Sequence, residues 1–213
     1  METLAFFIYA FTSFFIIVNP IGGLITFISL TARVSAAERL VIAKRAVTVA
    51  CVLAIFFAFA GELILRIFGV TVDSLRVAGG VLLFIVAIDM VLARISRESM
   101  TEEEIRDAAR RDDIAIFPIA TPLLTGPGAI TTVIVIIRTG HTLDLKFIAI
   151  GAIILTFVFS YLIFRYAGQI YKLLGVTGSL VITRVMGLLL GAIAVNFIAT
   201  GIWNLYRSLL AAA

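Results

Sequence analysis

Charge is scarce in this 213-residue chain. Only 14% of the residues are Asp, Glu, Lys or Arg, against about 25% in soluble domains. Cysteine and histidine occur once each, as Cys51 and His141. A single cysteine excludes an intramolecular disulfide, and one His with one Cys cannot assemble a His/Cys-rich zinc site. No metal and no cofactor is therefore expected. Cys51, inside an apolar run, reads as a small buried hydrophobe. Against these absences, 62% of the residues are hydrophobic and the mean hydropathy is +1.17. One domain of this size has no interior able to hide that much apolar surface from water. A soluble enzyme or nucleic-acid module is thereby excluded, and disorder is excluded by the same hydrophobicity. The solvent must be a bilayer.

Crossing the hydrocarbon takes roughly 20 mostly apolar residues. Six runs qualify, at about 4–31, 46–66, 74–93, 114–137, 146–168 and 178–204. No run alternates in polarity as a barrel strand would, so the expected fold is an all-α membrane protein of six transmembrane helices. Only Glu2 precedes the first apolar run, with no basic flank, so that run is expected to be kept as a membrane helix. The one hydrophilic stretch runs from Arg94 to Asp113. Within it Thr101-Glu-Glu-Glu104 fits a capping box and predicts a short surface helix on a solvated connector.

The formal charge is +4, and its distribution speaks for orientation rather than for nucleic acid. Arg33, Arg39, Lys44, Arg45, Arg94, Arg97, Arg106, Arg110, Arg111, Arg165, Lys172 and Arg184 flank one side of the expected spans. Arg66, Arg76, Arg138, Lys146 and Arg207 flank the other. The positive-inside rule then makes 94–113 cytoplasmic and sets both termini outside, in a multi-pass protein of the cell membrane.

The two halves echo one another. Phe68-Gly-Val-Thr71 precedes the third span and Leu174-Gly-Val-Thr177 the sixth. Arg76-Val-Ala-Gly79 and Arg184-Val-Met-Gly187 follow them. Asn19-Pro-Ile-Gly-Gly-Leu-Ile-Thr26 in the first span matches Thr125-Gly-Pro-Gly-Ala-Ile-Thr-Thr132 in the fourth. Three spans per repeat force the second copy to enter from the opposite side. The expectation is therefore two inverted three-helix repeats, 1–93 and 114–213, joined by the connector 94–113, an arrangement of many secondary transporters.

Helices 1 and 4 are expected to break near the midplane. Proline removes a backbone donor and crowds the preceding turn. Asn19-Pro20 reads as an N-cap and first residue, so a second half-helix should start at Pro20, with Gly22 and Gly23 loosening it. In the fourth span Thr121-Pro122 and Gly126-Pro127-Gly128 offer two breaks, with 123–126 partly unwound. Irregular backbone at that depth survives only buried in protein or lining a wet cavity. Both second half-helices would aim N–H groups and positive dipole ends at the midplane, suited to a carboxylate, while first-half carbonyls suit an ammonium group or cation. A small zwitterion satisfies both. Asn19, Pro20, Gly22, Gly23, Thr121, Thr125, Gly126, Pro127 and Gly128 form the candidate substrate site, with Thr26, Thr131 and Thr132 as further neutral donors.

Ionisable groups inside spans are functional candidates. Asp89 reads either as a coupling-proton carrier or gate residue, or as an interfacial carboxylate paired with Arg94 or another basic group. Glu62 and Arg66, four apart, read as a structural pair. Asn196 reads as interhelical glue or as a pathway residue, and Trp203 with Tyr206 as interfacial anchors. Ala46, Ala50, Ala54 and Ala58, and the Gly187/Gly191 pair, mark close helix packing or contacts between copies in a homo-oligomer.

Asn19-Pro-Ile-Gly22, Thr121-Pro-Leu-Leu-Thr-Gly-Pro-Gly-Ala-Ile130 and the Arg76/Arg184 echoes resemble the MarC family over essentially the whole chain. That resemblance implies a six-span prokaryotic membrane protein related to the lysine-exporter superfamily of inverted three-helix repeats. It also implies kinship with the SnatA-type transporters, which carry glycine and alanine with proton coupling, and it sets the signature loops on 19–23 and 121–128. An intramembrane hydrolase is disfavoured, because the one His lies in a loop and no H-E-x-x-H exists. The expected function is secondary transport of small neutral amino acids, coupled to protons or to sodium; the alternative is an exporter of another small metabolite or drug on the same scaffold.

Overall fold

The computed structural model describes residues 3–92 and 114–212. The connector, with the surface helix expected at Thr101–Glu104, lies outside the described residues. The rest is helical: α1 (Thr3–Val18), α2 (Gly23–Leu30), α3 (Ala36–Ile67), α4 (Val72–Val91), α5 (Ala115–Leu124), α6 (Pro127–Thr139), α7 (Leu143–Arg165) and α8 (Ala167–Ala212). Four of these, α3, α4, α7 and α8, are long and apolar enough to cross a membrane alone. The pairs α1–α2 and α5–α6 pass the same test only together, bent by 45° and 57°, which gives up to six spans. The chain is a multi-pass integral membrane protein.

Local signals explain the ends. Ser35 accepts from the Glu38 N–H at 3.2 Å while the Glu38 carboxylate accepts from the Ser35 N–H at 2.9 Å, a reciprocal cap. It starts α3 well before the expected 46. Gly69, at φ 66°, closes α3: its N–H donates to the Arg66 carbonyl and the Val70 N–H to the Leu65 carbonyl. Thr71 then caps α4 by accepting from Ser74 N–H at 3.0 Å. In the second half Gly175, at φ 63° and ψ −173°, is likewise non-helical and stands at a kink between two helical segments of α8. Both Gly-Val-Thr echoes thus carry a positive-φ glycine at a break between helical segments. The span expected at 178–204 falls within the segment of α8 that follows this kink.

Two buried clusters hold the bundle. The larger gathers α1, α2, α3, α5, α6 and α7 around Phe6, Phe14, Phe27, Phe157 and Phe164. Within it Phe27 stacks on Phe164 with centroids 4.4 Å apart, and Phe14 meets Phe157 edge-on at 5.7 Å. The smaller joins α4 to α8 and α6 through Leu83, Ala87, Met90, Val135, Leu190 and Phe197. Large apolar residues such as Val52, Phe56, Phe59 and Leu63 face outward, as a lipid-facing surface requires. Cys51 is half-buried against the core, not fully enclosed as expected.

Lipid is as apolar as leucine, so helices associate here by close packing. Ala46, Ala50 and Ala54 are fully buried along α3. On α4 and α8, glycines set the approach. A Cβ on Gly201 would lie 2.9 Å from the Asp73 carbonyl oxygen, and one on Gly187 3.1 Å from that of Ala87. The Gly187 pair therefore serves contact within the chain. Because backbone cannot yield as a flexible side chain does, Gly187→Val and Gly201→Val are each expected to destabilise the purified protein by about 1–3 kcal/mol, read as a lower melting midpoint in detergent. Gly151→Ala, with nothing within 4 Å of its added Cβ inside a helix, should leave the midpoint equal or higher.

Candidate functional site

The first break is organised by Asn19. Its backbone sits at φ 46°, a left-handed conformation that asparagine tolerates better than most residues. The Asn19 N–H still closes α1 on the Phe15 carbonyl at 2.9 Å. Its side-chain oxygen then accepts from Gly22 N–H at 3.2 Å, and its Nδ2 donates to Met90 Sδ on α4 at 3.7 Å. Gly22 has to be glycine, since a Cβ there would overlap the Asn19 amide.

The second half-helix accordingly starts at Gly23, not at Pro20. Asn19 ends α1 in a left-handed turn and leaves Pro20–Gly22 as that turn's body. The N–H groups of Gly23 and Leu24 are taken by the carbonyls of Asn19 and Ile21, at 3.0 and 3.2 Å. The start of α2 is thus largely satisfied from within, contrary to the expectation that both second half-helices present free donors. The end of α1 is not. Pro20 has no N–H to offer Ile16, and the carbonyls of Ile17 and Val18 receive no backbone donor from the turn among the described residues.

The second break is longer. Phe117 and Thr121 are extended, each forced out of helical geometry by the proline that follows. The peptide bonds to Pro118 and Pro122 are cis. Between them α5 makes wide turns, with Ile119 N–H donating to the Ile114 carbonyl at 3.4 Å and Thr125 N–H to that of Ala120 at 2.9 Å. Pro118 is a break that the sequence reading passed over. Gly126 is extended, Pro127 is the first residue of α6, and no side chain caps that end. Ile130 N–H returns to the Gly126 carbonyl at 3.1 Å, while Gly128 and Ala129 donate to no acceptor among the described residues. Here the expectation of unpaired donors at a dipole's positive end holds.

The bundle brings the two breaks together. A Cβ built on Gly128 would lie 3.9 Å from Ile17 Cγ2 and against Leu83 of α4; one on Gly23 would lie 3.6 Å from Leu123 of α5. The last turn of α1, poor in donors, thus borders the first turn of α6, poor in acceptors. Their polarity is complementary: carbonyls for a cationic group, N–H groups for an anionic one.

The hydroxyls divide by role. Thr125 Oγ1 is buried and donates to the Ala50 carbonyl of α3 at 3.0 Å. Thr132 Oγ1 donates to the Gly128 carbonyl at 2.8 Å. Thr121 Oγ1 is buried with no hydrogen-bond partner among the described residues. Thr131 is buried beside Gly79 of α4, and Thr26 is half-buried on α2.

Asp89 is half-buried on α4, one residue before the Met90 that holds Asn19, and has no partner among the described residues; Arg94 lies outside them. Glu62 and Arg66 pair at 2.8 Å. Asn196 differs from its reading as interhelical glue: it is exposed, and its Oδ1 accepts only from Thr200 of its own helix, at 3.3 Å. Trp203 and Tyr206 are both exposed, as anchors would be. A group missed from sequence is the network around Arg76, whose side chain is only 12% exposed and reaches Asp73 at 3.8 Å. Thr139 accepts from Arg76 at 3.4 Å, and Asn204 of α8 donates to Asp73 at 2.9 Å. The Asp73-x-x-Arg76 spacing was the available signal. Among the described residues no group of His, Cys, Asp and Glu could hold a metal ion.

A family model described as "MarC family integral membrane protein" matches residues 4–206. A UPF0056 membrane protein of Methanocaldococcus jannaschii is 40% identical over 93% of this chain and 97% of its own length. The UPF0056 membrane protein YhcE of Escherichia coli is 36% identical over 94% and 93%, and YvbG of Bacillus subtilis 36% over 95% and 96%. No solved structure matches.

The contrast between two threonines is testable. Thr125→Val removes a buried hydrogen bond and should cost about 0.5–1.5 kcal/mol. Thr121→Val removes an unpartnered hydroxyl and should leave the melting midpoint equal or higher. A destabilised Thr121→Val would mean that this hydroxyl is bonded in the folded protein.

Proposed function

The chain belongs to the MarC family of integral membrane proteins, and from that premise we propose that it is a secondary transporter of small neutral amino acids, coupled to protons. The observation that carries the proposal is the meeting of free α1 carbonyls with free α6 N–H groups at adjacent helix breaks. An amino acid of glycine or alanine size places its ammonium against the former and its carboxylate against the latter. Neutral contacts come from Asn19 and Thr121, and the walls from Pro20, Gly22, Gly23, Thr125, Gly126, Pro127 and Gly128. No charged side chain is needed, and the glycines and Leu83 leave little room for a larger one. The function is translocation and not catalysis, and no metal takes part.

We read the chain as two inverted repeats that alternate access to this site. Asn19/Thr125, Thr26/Thr132, Gly69/Gly175 and Thr71/Thr177 are all separated by one common interval. The packing supports the same pairing: α1 lies on α7 as α3 lies on α5 and α6, while α3 meets α7 and α4 meets α8. Asp89, beside the residue that holds Asn19, is the proposed proton carrier.

Uptake of labelled glycine and alanine into proteoliposomes, with and without an imposed pH gradient, tests the reading. Gradient-driven accumulation is expected, falling about tenfold or more in Asn19→Ala and Gly126→Ala, the loss associated with about 1.4 kcal/mol of binding. Asp89→Asn should abolish accumulation and leave counterflow intact; pH-driven accumulation retained in that variant removes Asp89 from the role. No transport by folded, inserted protein would turn the reading to export of another small metabolite or drug.

A further inference from the structure

At the end of the bundle where α3 turns into α4 and α6 into α7, a cavity of about 160 Å³ opens between α3, α6 and α7. Its charged lining is Glu62, Arg138 and Lys146; Phe59 of α3, Ile137 of α6 and Ile150 of α7 are among its apolar walls. It is separate from the helix breaks. At 1.5 Å per residue Ile137 and Arg138 stand about 15 Å along α6 from Pro127.

The single carboxylate is already engaged. Glu62 Oε1 lies 2.8 Å from Arg66 Nη2 and 3.7 Å from Arg138 Nη1. The Lys146 side chain makes no hydrogen bond or salt bridge among the described residues, and the one lining acid is already shared between Arg66 and Arg138, so the two lining cations leave room for an anion. The walls restrict which anion. Phe59 lines the cavity and is also 71% exposed, continuing into Leu63 and Phe56 on the outward face of α3. The cavity is therefore open to the lipid-facing surface. A soluble phosphate or carboxylate makes no use of that wall, whereas an anionic group joined to an acyl chain uses both parts.

We propose that this cavity binds an anionic phospholipid. Its phosphodiester sits between Arg138 and Lys146, and an acyl chain runs over Phe59 along α3. Basic groups flanking an apolar cleft at a membrane surface have the chemistry for such headgroups.

The purified full-length chain in uncharged detergent is titrated with phosphatidylglycerol, phosphatidylcholine or glycerol phosphate, with thermal melting and native mass spectrometry as readouts. Phosphatidylglycerol is expected to raise the midpoint by several degrees over phosphatidylcholine and to stay bound in the mass spectra. The double variant Arg138→Gln/Lys146→Gln should lose about tenfold in retained phosphatidylglycerol, each lost charge-assisted contact to phosphate contributing. Arg207→Gln, which removes a charge from α8 instead, should retain the preference. If the double variant fails to fold in phosphatidylcholine, the single variants decide by the same criterion. Equal effects of the two lipids, or a double variant with full preference, overturn the proposal. Glycerol phosphate matching phosphatidylglycerol at equal phosphate overturns it too, in favour of a soluble anion. None of these outcomes depends on transport.

Discussion

A membrane interior offers no water to a backbone N–H or carbonyl, so each such group that leaves a helix needs a partner inside the protein. This chain sets all four of its prolines in the two bent spans, where donors are removed at the greatest cost. Much of the architecture answers that choice. The Asn19 side chain takes the Gly22 N–H, Asn19 and Ile21 carbonyls take the start of α2, and Ala120 takes the Thr125 N–H. Among the described residues, the groups left over at the end of α1 and the start of α6 stand on two segments that touch.

Close packing makes this possible. Thr125 reaches the Ala50 carbonyl because the facing stripe of α3 carries only methyl groups. A larger residue at Ala46, Ala50 or Ala54 would hold α3 away and leave the Thr125 hydroxyl without its acceptor. On the other side α4 presents Met90 to Asn19 and Leu83 to Gly128, and glycine contacts with α8 hold α4 in place. Small residues far from the break thus set how rigidly its walls are held.

The sequence announced what depends on spacing and on special backbone residues. Apolar length marked the spans, prolines marked the breaks, and Gly-Val-Thr marked two positions of matching positive φ. It was less informative about direction. Asn before Pro is compatible with a helix start, but asparagine is also among the residues that best tolerate a left-handed ending, and the contact with Met90, distant in the chain, favours the latter. Ser35 and Glu38 form a capping box that is legible in the sequence, but the apolar run begins later and so does not point to it. Which face of a helix points inward was unreadable for a physical reason: with lipid outside, both faces are apolar and amphipathic periodicity fades. Asn196 was therefore assigned inward although it lies on the outer surface, and Arg76 passed as a repeat marker although it is nearly buried.

The charge at the breaks also bears on selectivity. No ionisable side chain belongs to 19–23 or 121–128, so recognition at the proposed site falls to backbone dipoles and neutral side chains. A fixed charge would hold an oppositely charged ligand strongly in a low-dielectric interior and slow its release. Partial charges from a helix end and from carbonyls bind more weakly, which would suit the proposed transport site, emptied on every cycle. They also require both poles of the ligand together: a cation alone leaves the α6 N–H groups unanswered, and an anion alone leaves the α1 carbonyls unanswered. On the proposed reading, discrimination in favour of a zwitterion would follow from the unpaired groups themselves, because each mismatched ligand would leave a buried polar group without a partner, at about 1–3 kcal/mol.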